Sequence, residues 1–296
     1  MLMPETIAEV NGIELCHETF GSPDGRPLLM IMGLASQMIW WDDEFCEHLA
    51  AEGFFVIRYD NRDAGRSSRM TGRVSLPLAY TLRTAPYSLA DMAGDAAGLL
   101  TELGIGSAHV VGASMGGMVA QTLAIEYPSR VRSLTSIMST TGNRFVGRPS
   151  AKAMTMLLSA PPRGREEYVD SLVRTFRVIG SPGYPFDEAR MRERAERSFD
   201  RGVDPGGSAR QLAAILSGRD RFRALRKVEV PALVVHGAKD PLVHVSGGRA
   251  TARALRESEL DVVPGMGHDL PRAIWPRLVR GLIRTTERAD VKTRRA

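Results

Sequence analysis

Cysteine is almost missing from this chain: 296 residues hold two, Cys16 and Cys46. They give no disulfide framework, and neither stands in a metal or redox spacing. One bridge between them stays open, but two reduced, buried thiols are the expected state. No apolar run approaches the ~18 residues that a membrane helix needs, so no membrane span is expected. The opening MLMPETIAEV has no basic stretch ahead of an apolar one, so no signal peptide is expected either. A cytoplasmic, reducing location is the resulting expectation. Lysine is scarce too, at positions 152, 227, 239 and 292 only, so arginine supplies most of the 39 basic residues. Against 34 acidic residues the formal charge is +5, which raises nucleic acid or an anionic membrane as partners. The arginines are scattered among acids, however, and DEARMRERAERSFDR (187–201) reads as a solvated helix face. Without a basic stripe, nucleic-acid binding is not expected.

What the chain does have is ordinary globular composition, 43% hydrophobic and 25% charged. Its length suits one α/β core with an insertion, and a core of that size needs no staples. TIAEV and IELCHETF flank Asn11-Gly12, the dipeptide of a tight hairpin turn. PLLMIMG (27–33) and FFVIRYD (54–60) are nearly all-apolar runs, the look of buried parallel strands. Between them WDDEFCEHLAAEG reads as a helix closed by Gly53. SLADMAGDAAGLLTELG (88–104) has helical spacing from an N-cap at Ser88 to a stop at Gly104. AHVVGA, MGGMVAQTLAIEYP and VRSLTSIM (131–138) then read strand, helix, strand. This alternation implies a parallel sheet covered by helices on both faces. Between 140 and 220 the strand-like runs stop, and helical, Arg-rich segments broken by Pro and Gly take over. PALVVHG (231–237) and SELDVVPG (258–265) resume the strands. The economical reading is a core of 1–139 plus 221–296, interrupted by a helical cap at 140–220. A structureless loop of that length would be unusual in a compact domain.

The stretch HVVGASMGGMVAQTL (109–123) sets Ser114 between glycines where a strand gives way to a helix. Ligands of open parallel sheets gather at the carboxyl ends of the strands, and Ser114 sits at such an end. Gly112-Ala113-Ser114-Met115-Gly116 fits G-x-S-x-G, in which a sharp turn thrusts the serine hydroxyl outward. Glycine-flanked serines also occur in ordinary turns; the strand before and helix after favour a nucleophile.

A serine hydroxyl needs a base to take its proton. Among six histidines, His17 falls in the second strand, His48 in an early helix and His109 at the far end of the serine's own strand. His236 ends PALVVHG as a packing residue, and His244 opens a helical segment. His268, in PGMGHDLP after the last strand, lies in a glycine-bordered loop and fits the order Ser…acid…His, with His244 its rival. The imidazole needs a carboxylate, which HGAKDPLV offers as Asp240; the plainer reading is an Asp-Pro turn. The other common location, after VRSLTSIM, holds Ser139 and Thr140 instead of an acid. Oxyanion donors are expected from the backbone N–H groups of Met115 and of Leu34 in IMGLASQMIWW.

With these residues in place, the chain resembles an α/β-hydrolase across nearly its whole length. The resemblance rests on strand order, Ser114, Asp240, His268 and DNRDAGRS (60–67). More narrowly, MG…W…EF…L…G…VIRYDNRDAGRS with GMGH resembles bacterial carboxylesterases of the aclacinomycin methylesterase group. That implies an α/β-hydrolase fold: a mostly parallel eight-stranded sheet flanked by helices, with the cap after the sixth strand. It also implies serine-dependent ester hydrolysis in an apolar pocket, without metal or cofactor. Many family members carry His-Gly where this chain has Met32-Gly33, which makes the pocket mouth more apolar. By analogy Asp60, Arg62 and Asp63 brace loops. Met32, Gly33, Met38, Trp40, Met138 and Met266 flank the proposed catalytic loops and are expected to line the pocket, as methionine-rich walls suit bulky apolar ligands. Trp41 stands beside them, with core packing as the rival reading for either tryptophan. Met154, Met156, Leu157, Leu158, Phe176 and Phe186 of the cap either close the pocket or glue cap to core.

The expected function is a serine carboxylic-ester hydrolase, a carboxylesterase or methylesterase, with thioester, lactone or carbon–carbon cleavage, or cofactor-free perhydrolysis, as alternatives on the same triad. The expected partner is a small to medium apolar ester, and the expected state a monomer or homodimer. A ligand-binding protein on a hydrolase scaffold is the reading from another class.

Overall fold

The computed structural model describes residues 4–159 and 162–293. Its centre is an eight-stranded sheet in the order β1-β2-β4-β3-β5-β6-β7-β8. The strands are β1 (Thr6–Val10), β2 (Ile13–Phe20), β3 (Arg26–Ile31), β4 (Phe54–Tyr59), β5 (Ala108–Ala113), β6 (Val131–Ile137), β7 (Ala232–Gly237) and β8 (Ser258–Val263). β2 pairs antiparallel with β1 and β4, and every other pairing is parallel. Asn11 and Gly12 close the first hairpin at φ 52° and 79°, the backbone twist that a two-residue turn between strands requires. Composition follows position in the sheet. Inner strands β5 and β7 bury every residue, whereas edge strand β1 buries only Ala8 and Val10.

The helices are α1 (Asp43–Ala51), α2 (Leu76–Leu82), α3 (Leu89–Glu102), α4 (Met115–Glu126), α5 (Ala151–Leu157), α6 (Arg165–Ile179), α7 (Glu188–Arg201), α8 (Pro205–Ser217), α9 (Phe222–Leu225), α10 (Ser246–Ala254) and α11 (Trp275–Thr293). α1 and α11 cover one face of the sheet, and α3, α4, α9 and α10 the other. Along β3, Leu28 and Met30 join the first face while Leu29 and Ile31 join the second, as the strand pleat dictates. α4 is buried continuously from Met115 to Ala124, which is why its sequence lacks a polar face. Ser88 starts α3 through a capping box with Asp91, satisfying two amides that the helix cannot.

Between β6 and β7 the described residues form no strand; α5 to α9 lie in that stretch, and α2 packs on α8. The arginines of α7 depart from the solvated face expected of them. Arg201 is buried and donates to Asp60 Oδ2 (2.9 Å), Gln37 Oε1 (2.7 Å) and Glu5 Oε1 (2.8 Å). Arg190 and Arg194 both pair with Asp42, and Arg197 pairs with Asp43 at 2.9 Å. Arg192 is nearer the expected solvated role, pairing with Glu188 of its own helix as well as with Asp170 of α6. The difference has a simple source: an alternating-charge pattern does not say whether an arginine's partner sits on its own helix or on a distant loop. Cys16 and Cys46 are both buried and free. Among the described residues no helix is long and apolar enough to cross a membrane.

Candidate active site

Ser114 occupies φ 55°, ψ −117° between β5 and α4, a conformation that costs a non-glycine residue about 1–3 kcal/mol. The surroundings hold it there. Its N–H donates to the Ile137 carbonyl (2.9 Å), and its own carbonyl accepts from the Ser139 hydroxyl (2.8 Å). A Cβ on Gly112 would overlap the Gly116 carbonyl, and one on Gly116 would overlap the Ile31 carbonyl. Both glycines are therefore demanded by close approach of backbone. Ser139, noted in the sequence for not being an acid, braces the turn instead.

The structure brings His268 and Asp240 to this serine. His268 Nε2 lies 3.0 Å from Ser114 Oγ, and its Nδ1 lies 2.7 Å from Asp240 Oδ2. Asp240 Oδ1 accepts from the Leu242 (2.9 Å) and Val243 (2.8 Å) amides. Burial alone would raise the Asp240 carboxyl. The His268 charge, with hydrogen bonds from His236 and His268, outweighs burial and holds it well below the usual carboxylate range. His244 is exposed and bonded to Ser246 (2.9 Å). His236, read from sequence as packing, stands behind the acid: its Nε2 lies 3.5 Å from Asp240 Oδ2 and 2.7 Å from the Val243 carbonyl. The four-residue spacing from Asp240, at the end of β7, was the one signal for it.

Beside the serine runs the loop after β3. A Cβ on Gly33 would come within 3.1 Å of Ser114 Cβ. The Leu34 and Met115 amides have no acceptor among the described residues; an unsatisfied first-turn N–H is ordinary at a helix start and attracts negative charge. Side chains from elsewhere hold this loop. Asn61 Nδ2 donates to the Met32 carbonyl (2.9 Å), Asp60 Oδ1 accepts from the Met38 amide (2.7 Å), and Gln211 Oε1 accepts from the Ala35 amide (2.8 Å). Arg62 makes a bidentate pair with Asp95 (2.6 and 2.7 Å) and Asp63 accepts from Tyr87 and Arg210. Gln211 and Arg210 belong to α8, so the bracing crosses into the inserted helices.

The histidine loop is tied to those helices even more tightly. The His268 amide donates to the Ile179 carbonyl at the end of α6 (2.7 Å). The Gly267 amide donates to Ser181 Oγ (2.9 Å), Gly183 N–H to the Gly265 carbonyl (2.9 Å) and Tyr184 Oη to the Pro264 carbonyl (3.2 Å). Ser181 also bonds Asp269, whose half-buried carboxyl is raised by desolvation against the lowering effect of that bond. Nothing in the sequence marked Ser181 or its neighbours for this role.

Ser114 and His268 open into a cavity of about 1050 Å³. Met32, Gly33, Trp40 and Met138 line it, as does Trp41, and so do all six of the inserted apolar residues singled out from sequence. Trp40 stacks on Phe176 of α6, with ring centroids 5.0 Å apart and planes 17° apart. Met38 and Met266 do not line it. Both are fully buried, Met38 against Cys16 and Ile39, and Met266 among the α1–α11 face of the core. Neighbourhood in sequence placed them correctly near the loops but said nothing about which way each side chain points.

The chain belongs to the α/β-hydrolase family, whose model matches residues 26–271. It is a hydrolase of that family. Within it the chain is similar to rhodomycin D methylesterase DauP of Streptomyces sp. (strain C5), at 29% identity over 98% of this chain and 100% of the relative. It is also similar to 3-oxoadipate enol-lactonase 2 of Acinetobacter baylyi, at 26% identity over 85% of each chain. The fold matches the esterase EaEST of Exiguobacterium antarcticum with a TM-score of 0.75, at 19% identity, over 95% of this chain and 99% of that one.

Proposed function

We propose that this protein is a serine carboxylic-ester hydrolase working through an acyl-enzyme. The observation that carries the reading is the Ser114–His268–Asp240 relay, at 3.0 and 2.7 Å, on a strained turn that faces a large cavity. Ser114 Oγ attacks the ester carbonyl as its proton passes to His268 Nε2, and Asp240 steadies the imidazolium. The Leu34 and Met115 amides receive the oxyanion, where one such donor is worth roughly 10²–10³ in rate. His268 returns the proton to the departing alcohol. Water, deprotonated by the same imidazole, then releases the acid and frees Ser114.

Residues 140–220 act as a cap over this site. The cavity, at about 1050 Å³, favours the bulkier apolar esters. Similarity to a methylesterase over the full length of both chains favours a methyl ester of a large apolar acid. The enol-lactonase similarity makes a lactone the second reading.

The experiment is active-site labelling with a fluorophosphonate, mapped by mass spectrometry, beside the Ser114→Ala variant. We expect one adduct, on Ser114, absent from the variant. Folded protein that takes no label would remove the basis for the mechanism. A panel of methyl esters, longer alkyl esters, thioesters and lactones then separates the substrate classes.

A further inference from the structure

Eleven large apolar side chains are exposed among the described residues, and six of them lie in two segments. Leu78, Tyr80 and Leu82 stand on α2; Phe145, Met154 and Leu158 stand on or near α5. Phe145 is 87% exposed and Leu82 67%, so neither is excused by packing at its own base. The segments touch: Arg144 donates to the Tyr80 carbonyl (2.6 Å), and its guanidinium lies 4.2 Å from the Tyr80 ring centroid. They also adjoin one cavity, since Leu76 of α2 and the exposed Met154 and Leu158 line it.

Charge separates this rim from the rest of the surface. The chain as a whole nearly balances 39 basic against 34 acidic residues, yet 64–90 and 127–165 contain no aspartate or glutamate. Arg69, Arg73, Arg83, Arg144, Arg148 and Lys152 within them are exposed. Asp220, which accepts from Asn143 Nδ2 at 2.8 Å, is an acid at the border. A second copy of the chain would bring the same cations to the same place, which repels. An anionic bilayer surface suits both halves of the rim: apolar side chains sink to the headgroup–acyl boundary while cations meet the phosphates.

We propose that this rim docks the protein on an anionic lipid surface, with the mouth of the cavity turned toward the headgroups. The inference concerns binding and stands whether or not the ester reading does. It is tested by co-sedimentation with vesicles of phosphatidylcholine alone or mixed with phosphatidylglycerol, using Ser114→Ala so that no lipid is consumed. Binding is expected to the mixed vesicles, weakly if at all to the neutral ones, and is expected to fall as salt is raised. Arg73→Gln, Arg148→Gln and Lys152→Gln should each lower partitioning about fivefold. Phe145→Glu combined with Leu82→Glu should abolish it. None of these five residues lines the cavity, so in the otherwise wild-type protein turnover of a water-soluble ester should stay unchanged. If the double variant fails to fold, the three glutamine variants decide alone. Equal binding to both vesicles, or to neither, overturns the proposal. So does a concentration-dependent dimer in light scattering that Phe145→Glu dissolves, because the rim would then be a self-interface.

Discussion

Asp240 answers two demands with its two oxygens. Oδ1 takes the Leu242 and Val243 amides, which fix the carboxylate; Oδ2 takes His268. Asp240→Asn keeps the shape but offers the imidazole the wrong partner, and steady-state kcat should fall roughly 10⁴-fold with little change in KM. The same residue predicts an acid-range stability effect. Its folded pKa is depressed below the ordinary 3.8, so its stabilisation is complete above that value and is lost as pH falls toward the folded pKa. Urea unfolding of wild type and Asp240→Asn should therefore show a gap near pH about 5 that shrinks on further acidification; a gap that ignores pH over that acid range would refute this. At this scale much was legible in sequence. Ser114, Asp240 and His268 each sit just past a strand end that apolar runs delimit. Met38 and Met266 were not legible, because a loop residue carries no periodicity to tell its direction. Nor was Ser181, whose partners lie 86 and 88 residues away in the chain.

Elements cooperate through the stretches between them. The strap from Ile179 to Tyr184 joins α6 to α7 and at the same time holds the loop that presents His268. Loss of the Ser181 hydroxyl would leave the proposed triad intact but loosen that loop. Ser181→Ala should lower kcat about two- to tenfold, as one hydrogen bond is worth, while KM for a small ester holds. An equal change in both constants would point to general destabilisation. α7 is anchored by a buried ion pair, Arg201 with Asp60. Arg201→Met would strand the Asp60 carboxylate in the interior and should cost about 3–5 kcal/mol in urea unfolding. The strands and core helices were readable from apolar runs and caps such as Ser88. The inserted helices were readable as helices, but their attachment was hidden, because ion pairs between distant segments leave no local pattern.

At the scale of the whole molecule, the strand ends of the sheet carry Ser114, Asp240 and His268, the three proposed catalytic groups, and the inserted helices carry much of the cavity wall. Trp40 from the core and Phe176 from α6 close on each other across the cavity. Removing that contact with Phe176→Ala should raise KM for bulky apolar esters by up to about tenfold, the worth of one aromatic pair. Short esters that do not reach the pair should be spared, and equal losses for both would count against the assignment. The strap described above has an implication for how this molecule could be rebuilt. Insertions in a scaffold invite exchange between relatives, as though the helices between β6 and β7 were a detachable module. Here the seam runs through the base: a chimera that takes a foreign segment must also inherit a carbonyl at 179 and a hydroxyl at 181, or recruit the matching 264–269 loop with it. Recombination at the two ends of the insertion alone would be expected to give folded proteins whose histidine loop is loosened and whose turnover is lowered.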